Sequence, residues 1–153
     1  MTEFSKIIQS FLSLTPKNEL AFLDDETLEE NAKFWIRDAV SRFAKFCRKD
    51  LYDADYDLQV FYEDLDIEEI QILARAMRLS FYESDIIGID ALSTLNSRDY
   101  KEYSNANAVR SGMAVKVSLE EELTQAFSRY AYNPRSQGFR ESMEGSKNVQ
   151  RPR

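Results

Sequence analysis

The residues of this chain best suited to chemistry are carboxylates, and they are densest just before its midpoint. Asp53, Asp55 and Asp57 alternate like the first ligands of a calcium-binding loop, and Asp64 stands at the place of the loop's last ligand. Such a loop needs a glycine where Leu58 stands, and its last ligand should be a bidentate glutamate. We therefore expect no metal here, but a solvated acidic loop held by its aromatic residues.

Other kinds of catalysis lack their usual residues. The chain has no histidine, which excludes Ser-His-Asp and Cys-His catalysis and histidine-ligated zinc. Its four glycines are too scattered to form a phosphate-binding loop. The adjacent Glu68 and Glu69 point in different directions from a helix, and Cys47 is interpreted as a small buried apolar side chain. We expect neither enzyme activity nor a cofactor.

Length and composition indicate one domain of ordinary globular type. The chain has 153 residues, of which 43% are hydrophobic and 31% charged. No run reaches the roughly 18 apolar residues of a membrane-spanning helix, so we expect no membrane contact. The formal net charge is −7.

The first two predicted helices follow from apolar residues at helical spacing. The first has a stripe from Phe4 to Leu12, ends at Thr15-Pro16, and either packs on the chain's own core or serves as an arm for a neighbouring subunit. The second begins after the capping residues Asp24 and Asp25, and we expect it to organise the core. Its stripe consists of Leu28, Ala32, Trp35, Ile36, Ala39, Val40 and Phe43, extended by Phe46 and Cys47.

The third predicted helix follows an irregular connection that contains a short extended piece at 58–62. It begins at Asp66, which forms a capping box with Glu69. The buried stripe consists of Ile67, Ile70, Leu73, Ala74, Met77 and Phe81. Gly88 interrupts the next apolar run, which either continues the helix with a kink or begins a short separate one.

A fourth predicted helix is capped by Ser104, Asn105 or Asn107. One side bears Ala108, Gly112, Val115, Leu119, Leu123, Ala126, Phe127 and Tyr130, and a second side bears Val109, Met113 and Val117. Two apolar sides are compatible with a central position in the bundle or with a subunit interface. The predicted fold is therefore mostly α, a small bundle of four to five helices at 1–132 with an extended C-terminal arm at 133–153.

The arm is defined by its composition. It contains prolines, glycines and serines but few apolar residues, so it cannot offset its ordering entropy alone. Five cationic and two anionic side chains give it a net charge of +3, which leaves −10 on residues 1–132. It is either a disordered end or an arm that orders on an acidic neighbour, such as another copy of the body. The residues expected to bind that partner are Arg135, Phe139, Arg140, Met143, Lys147, Arg151 and Arg153.

Three stretches resemble the small helical neck proteins of tailed bacteriophages, which are called head-tail connectors, adaptors or head completion proteins. The resemblance extends over residues 25 to 132. The stretches are FWIRDAV at 34–40 leading to CRKDL at 47–51, LDIEEIQILA at 65–74, and the polar stretch at 95–107 before a long helix that ends in YAY at 130–132.

The resemblance implies a structural virion protein that is assembled in the host cytoplasm. Copies would form a homo-oligomeric ring in the neck between the portal and the tail-side neck proteins, and extended termini would join adjacent subunits. Genomic DNA would pass through the lumen without specific binding, since an acidic surface repels phosphates.

The alternative function is a small acidic protein that inhibits a nucleic-acid-binding enzyme or another host factor by imitating DNA. The net charge permits this. However, many of the acidic residues stand at predicted helix starts, where capping and the helix dipole account for them.

Overall fold

The computed structural model describes residues 1–16, 25–95 and 102–132, and within these ranges four α-helices account for most of the chain. The helices are α1 (Phe4–Leu14), α2 (Asp25–Phe43), α3 (Ile67–Leu95) and α4 (Glu102–Ala131); the strands are β1 (Thr2–Glu3), β2 (Ala54–Asp55) and β3 (Val60–Phe61). The prediction of a mostly α bundle is confirmed. The predicted arm lies outside the described residues, and so does the proposed cap Asp24.

Helix α3 is the centre of the bundle, because it packs against α1, α2 and α4. Its buried residues surround most of its circumference rather than forming one stripe; they are Ile72, Leu73, Ala74, Ala76, Met77, Leu79, Ser80, Phe81 and Tyr82. The second predicted helix was expected to organise the core. It does bury Trp35 at 3% exposure, but α3 is the helix that the other three share.

Aromatic rings join three of the helices at one end of the core. Phe11 of α1, Trp35 of α2 and Phe81 of α3 contact one another, with ring centroids 5.3 to 6.0 Å apart. Such pairs add to the burial of apolar area, because ring edges and faces attract one another. Helix α1 therefore packs on its own chain's core, and the alternative of an arm for a neighbour is wrong.

The boundaries of α1 and α3 follow local chemistry. Thr15 ends α1, where its backbone N–H and its hydroxyl both donate to the carbonyl of Phe11 before Pro16. Helix α3 begins after Asp66 as predicted and continues without interruption through Gly88. Ile67 was expected to be buried, but it is 76% exposed, because it lies about 200° around the helix from Glu69, the residue of this turn that Tyr130 of α4 covers.

Helix α4 begins at Glu102, so the prediction of a cap at Ser104, Asn105 or Asn107 is wrong. Leu119, Leu123, Ala126 and Tyr130 are buried as expected. The second apolar side is open to solvent: Met113 is 53% and Val117 52% exposed. The central position proposed for this helix is therefore wrong, and the alternative of a subunit interface stays a prediction.

A small antiparallel sheet, of strand order β1-β3-β2, connects the N-terminus to the segment between α2 and α3. Phe61 pairs with Thr2 on one side and with Ala54 on the other. Only β3 lies within the extended piece predicted at 58–62; β1 and β2 were not predicted. Helix α2 also ends at Phe43, earlier than a stripe extended to Phe46 and Cys47 implies.

Candidate functional site

Glu69 is the centre of the most concentrated group of polar side chains in the described residues. It stands in the first turn of α3, where the predicted capping box is confirmed: its N–H donates to Asp66 Oδ1 at 2.9 Å, and its Oε2 accepts from the N–H of Asp66 at 2.8 Å. The side chain is nevertheless only 1% exposed. A carboxylate buried this far needs compensating partners.

Two side chains from distant parts of the chain supply these partners. Lys49, in the connection after α2, contacts Glu69 Oε2 with its Nζ at 2.6 Å, and it also donates to the carbonyl of Asp64 at 2.6 Å. Tyr130, in the last turn of α4, donates its hydroxyl to Glu69 Oε1 at 2.6 Å. Cys47 Sγ lies 3.8 Å from the same oxygen and 3.9 Å from the Tyr130 hydroxyl. We call these four residues, Cys47, Lys49, Glu69 and Tyr130, the Glu69 cluster.

The protonation of the cluster follows from its contacts. Burial alone would raise the pKa of Glu69, but the hydrogen bonds from Lys49, Tyr130 and the Asp66 N–H outweigh it and hold this pKa below its ordinary value. Burial would lower the pKa of Lys49, yet its bond to Glu69 raises that pKa instead. The pair is therefore charged at neutral pH.

The two remaining members of the cluster stay protonated. Burial, and then the hydrogen bond to Glu69, raise the pKa of Tyr130 far above its ordinary value. Burial is also the main reason that the pKa of Cys47 is raised. A thiol that resists ionisation is a poor nucleophile. Cys47 is only half-buried, so its interpretation as a small buried side chain is wrong in that respect. The arrangement favours a structural cluster over a catalytic one.

The residues around the cluster hold the last turn of α4 in place. Arg48 donates from Nη2 to the carbonyl oxygen of Tyr130 at 3.0 Å, and its guanidinium lies 5.0 Å from the centre of that tyrosine ring. Phe127, one turn earlier, stacks on Phe43 and Phe46 with centroids 5.5 and 4.8 Å apart. Together with the Tyr130–Glu69 bond, these contacts fix the point from which the chain continues to residue 133. We call them the α4 clamp.

A second polar group joins α2, α3 and α4 nearer to the surface. Arg42 contacts Asp38 at 2.8 Å and Glu83 at 2.6 Å, and Lys116 contacts Glu83 at 3.2 Å and Glu120 at 3.6 Å. Ser80 donates its hydroxyl to Asp38. Although burial opposes it, the carboxylates raise the pKa of Arg42, and the bond to Glu83 is the main cause that raises the pKa of Lys116. We call Asp38, Arg42, Glu83, Lys116 and Glu120 the ion-pair network.

The acidic loop between α2 and α3 uses its carboxylates to hold its own turns. Asp50 accepts from the N–H of Tyr52, and Asp55 accepts from the N–H groups of Asp57 and Leu58, each at 2.9 to 3.0 Å. Gln59 follows with φ of 56°, a left-handed conformation that suits glycine better. Within the described ranges no group of Cys, Asp or Glu side chains is arranged to hold a metal ion.

The partner-binding residues predicted in the arm cannot be placed relative to the cluster, because they lie outside the described residues. They are Arg135, Phe139, Arg140, Met143, Lys147, Arg151 and Arg153. The described residues also include no helix both long and apolar enough to cross a membrane.

The sequence predicted the capping of α3 but not the Glu69 cluster. The Asp66–Glu69 spacing is a local pattern, whereas Lys49 and Tyr130 reach Glu69 across 20 and 61 positions of the chain. A single sequence gives no sign of those contacts. Comparisons with models of protein families, with curated proteins and with solved structures gave no match to this chain.

Proposed function

We propose that this chain is a structural subunit of the neck of a tailed bacteriophage. Copies would form a ring between portal and tail, and genomic DNA would pass through the lumen. The resemblance of residues 25 to 132 to neck proteins gives the class, and the features described above give the reasons for preferring an assembly role to catalysis or inhibition.

The α4 clamp is the single observation that supports an assembly role most strongly. Tyr130 is held at both ends, through its hydroxyl by Glu69 and through its carbonyl by Arg48. The segment at 133–153 therefore begins only three positions after an anchored residue. An anchored residue next to the segment limits the orientations that the segment can adopt, so less conformational entropy is lost when it binds a partner.

The division of charge supports the same function. The body at 1–132 bears −10 and the segment at 133–153 bears +3, so copies of the chain are electrostatically complementary to one another. An acidic lumen would also repel phosphates and let DNA slide past without specific binding. We expect Asp and Glu, rather than Lys and Arg, to line the lumen of the assembled ring.

Several carboxylates have partners within the chain, which favours this function over imitation of DNA. An imitator needs acidic side chains that are free to contact a DNA-binding surface. Here Asp55 and Asp66 accept backbone N–H groups, Asp38 and Glu83 bind Arg42, and Glu69 is buried. These groups stabilise the fold: Asp66 and Glu69 at a helix start, Asp55 in a turn, and Asp38 and Glu83 between helices.

The neck function is tested by locating the protein in a lysate that contains tailed particles. We expect the chain to sediment with DNA-filled particles and a gold-labelled antibody to bind at the junction of head and tail. The matched variant ends at Tyr132; its helical circular dichroism should persist, while its incorporation into particles is lost. A protein found only in a discrete soluble complex with a nucleic-acid-binding enzyme would contradict the proposal and favour the inhibitor.

A further inference from the structure

One exposed face of α4 combines apolar and acidic side chains in a continuous row. The members are Met113, Val117, Glu120, Glu121 and Thr124, which follow one another at helical spacing, and we call this row the α4 stripe. All five are exposed, and the last four, with Gln125, line a shallow open depression of about 470 Å³. The buried face of the helix, with Leu119 and Leu123, points away from them.

The arm at 133–153 contains the complementary pattern. The arm carries the apolar residues Phe139 and Met143, and the α4 stripe carries Met113 and Val117. Between 135 and 147 the cations Arg135, Arg140 and Lys147 outnumber the acidic Glu141 and Glu144, and the whole segment at 133–153 bears +3, whereas the stripe presents Glu120 and Glu121. An apolar pair in a segment of net positive charge is therefore complementary to an apolar pair bordered by carboxylates.

We propose that the α4 stripe is the docking surface for the arm of a second copy of this chain. In this contact Phe139 and Met143 lie against Met113 and Val117, and the arm's cations lie against Glu120 and Glu121. The inference rests on the proposed function and deepens it, because it names the surface that the arm occupies.

The positions of the two partners on one chain fit a ring. The stripe and the arm are different surfaces, so a contact between them is heterologous and leaves each copy with one arm and one stripe still to be joined. Repeating that contact closes a ring when the rotation between copies permits it. An arm that folded back on its own α4 would occupy the stripe without joining any copies.

Length allows the arm to reach a neighbour. Phe139 and Met143 stand 9 and 13 positions after Tyr130, so an extended chain brings them about 30 and 45 Å from it, compared with the roughly 20 Å that separate Tyr130 from Val117 along α4. The same reach would also allow the arm to contact α4 of its own chain. The experiment must therefore distinguish the arm of the same chain from the arm of a second copy.

Photo-crosslinking between two isotopic forms makes this distinction. One copy, with natural isotopes, carries benzoylphenylalanine in place of Phe139; the other is labelled with ¹⁵N and has the native sequence. We expect mass spectrometry to find residue 139 of the unlabelled copy joined to ¹⁵N peptides that contain Met113 or Val117. Links confined to one copy would overturn the inference.

The other outcomes separate this inference from the proposed function. If the chains assemble but residue 139 links to another surface of the neighbour, the docking surface is wrong and the neck function stands. If the chains neither link nor associate at any concentration, both are wrong. Association is followed by sedimentation in the same samples.

Charge reversal on the stripe supplies an independent measurement. We expect Val117→Ser with Glu121→Lys to weaken association by about tenfold or more, since it removes an apolar contact and introduces repulsion. Glu122→Lys is the matched control, because it makes the same charge change outside the stripe and should leave association within about twofold. Arg140→Glu should restore part of the loss in the Glu121→Lys background. Equal effects of Glu121→Lys and Glu122→Lys would overturn the inference.

Discussion

Two ion pairs in this chain have the same length and very different surroundings. Lys49 lies 2.6 Å from Glu69, and Arg42 lies 2.6 Å from Glu83. The two cations are equally exposed, at 29%, but Glu69 is only 1% exposed, whereas Glu83 is 24% exposed. Water that reaches the second pair screens it and can replace a missing partner, but no water replaces a partner of Glu69.

Burial, rather than the distance between the charges, determines how much unfolding free energy is lost when one partner is removed. The two groups also have different roles. The Glu69 cluster holds the end of α4, whereas the ion-pair network adds a modest attraction between three helices.

Removing the buried carboxylate should produce the largest loss. Glu69→Ala leaves the Tyr130 hydroxyl and the Asp66 N–H without their acceptor, while Lys49, which is 29% exposed, keeps the Asp64 carbonyl; we expect unfolding free energy to fall by about 3 kcal/mol or more. Glu83→Ala is the matched control in the ion-pair network and should cost about 1 kcal/mol or less. Urea denaturation followed by circular dichroism measures both. Equal losses would mean that burial does not separate the two groups.

Removing one hydroxyl from the cluster should cost less. Tyr130→Phe keeps the ring against Phe43 but deletes the hydrogen bond to a charged group, with an expected loss of about 1.5–3 kcal/mol. Hydrogen exchange should also increase at the end of α4, because the clamp is weakened there. Tyr132→Phe is the control, since Tyr132 is exposed and its replacement should change neither quantity. If Tyr130→Phe changes neither the unfolding free energy nor hydrogen exchange, the Tyr130 hydroxyl does not contribute to the α4 clamp.

Stability should depend on pH in opposite directions at the two ends of the scale. The lowered pKa of Glu69 contributes stability that is present above its unfolded value of about 4.3 and is lost as pH falls through the folded pKa. The raised pKa values of Cys47, Lys49 and Tyr130 contribute stability that is present at neutral pH and lost as pH rises beyond about 8.5 to 10.4.

Each unit of difference between folded and unfolded pKa corresponds to about 1.4 kcal/mol. Glu69→Gln should therefore flatten the acid side of a plot of unfolding free energy against pH. An acid side that is unchanged in Glu69→Gln would contradict the assignment.

The smallest effect is expected at the outer edge of the ion-pair network. Lys116→Ala removes contacts to Glu83 and Glu120, and because both partners remain partly exposed, we expect a loss of about 0.2–1 kcal/mol. The loss should disappear in about 1 M salt, where charges are screened within a few ångströms. A contribution of Lys116 to unfolding free energy that persists at high salt would mean that water and ions reach the network less than its exposed fractions indicate.

Local patterns predicted much of the fold. The stripes of α1, α2 and the second half of α4 are mostly buried or half-buried as the periodicity indicates, and the Asp66–Glu69 spacing correctly locates the start of α3. Each of these depends on residues within about two turns of one another. Phe46, which was assigned to the stripe of α2, is instead 44% exposed beyond the end of that helix. Ile67 was expected in the buried stripe of α3, but it is exposed, because Tyr130 of α4 covers Glu69 on the opposite side of that turn.

The errors and omissions have long-range causes. The start of α4 at Glu102 overrides the preference of Ser104 and asparagines for caps, a term of only about 0.5–2 kcal/mol. Strands of two residues, such as β1, are too short to show alternation; Thr2 is placed by pairing with Phe61. The burial of Glu69 depends on Lys49 and Tyr130 together, and neither is near it in sequence.

The mass of the assembly in solution tests the central claim most directly, namely that a stable acidic body is joined to other copies by its basic C-terminal segment. Mass is measured by light scattering or native mass spectrometry for the full chain and for a variant that ends at Tyr132. We predict that the full chain forms a closed oligomer at low salt and that the shortened chain is a folded monomer. A full chain that stays monomeric at every concentration, or a shortened chain that assembles equally well, would contradict the account.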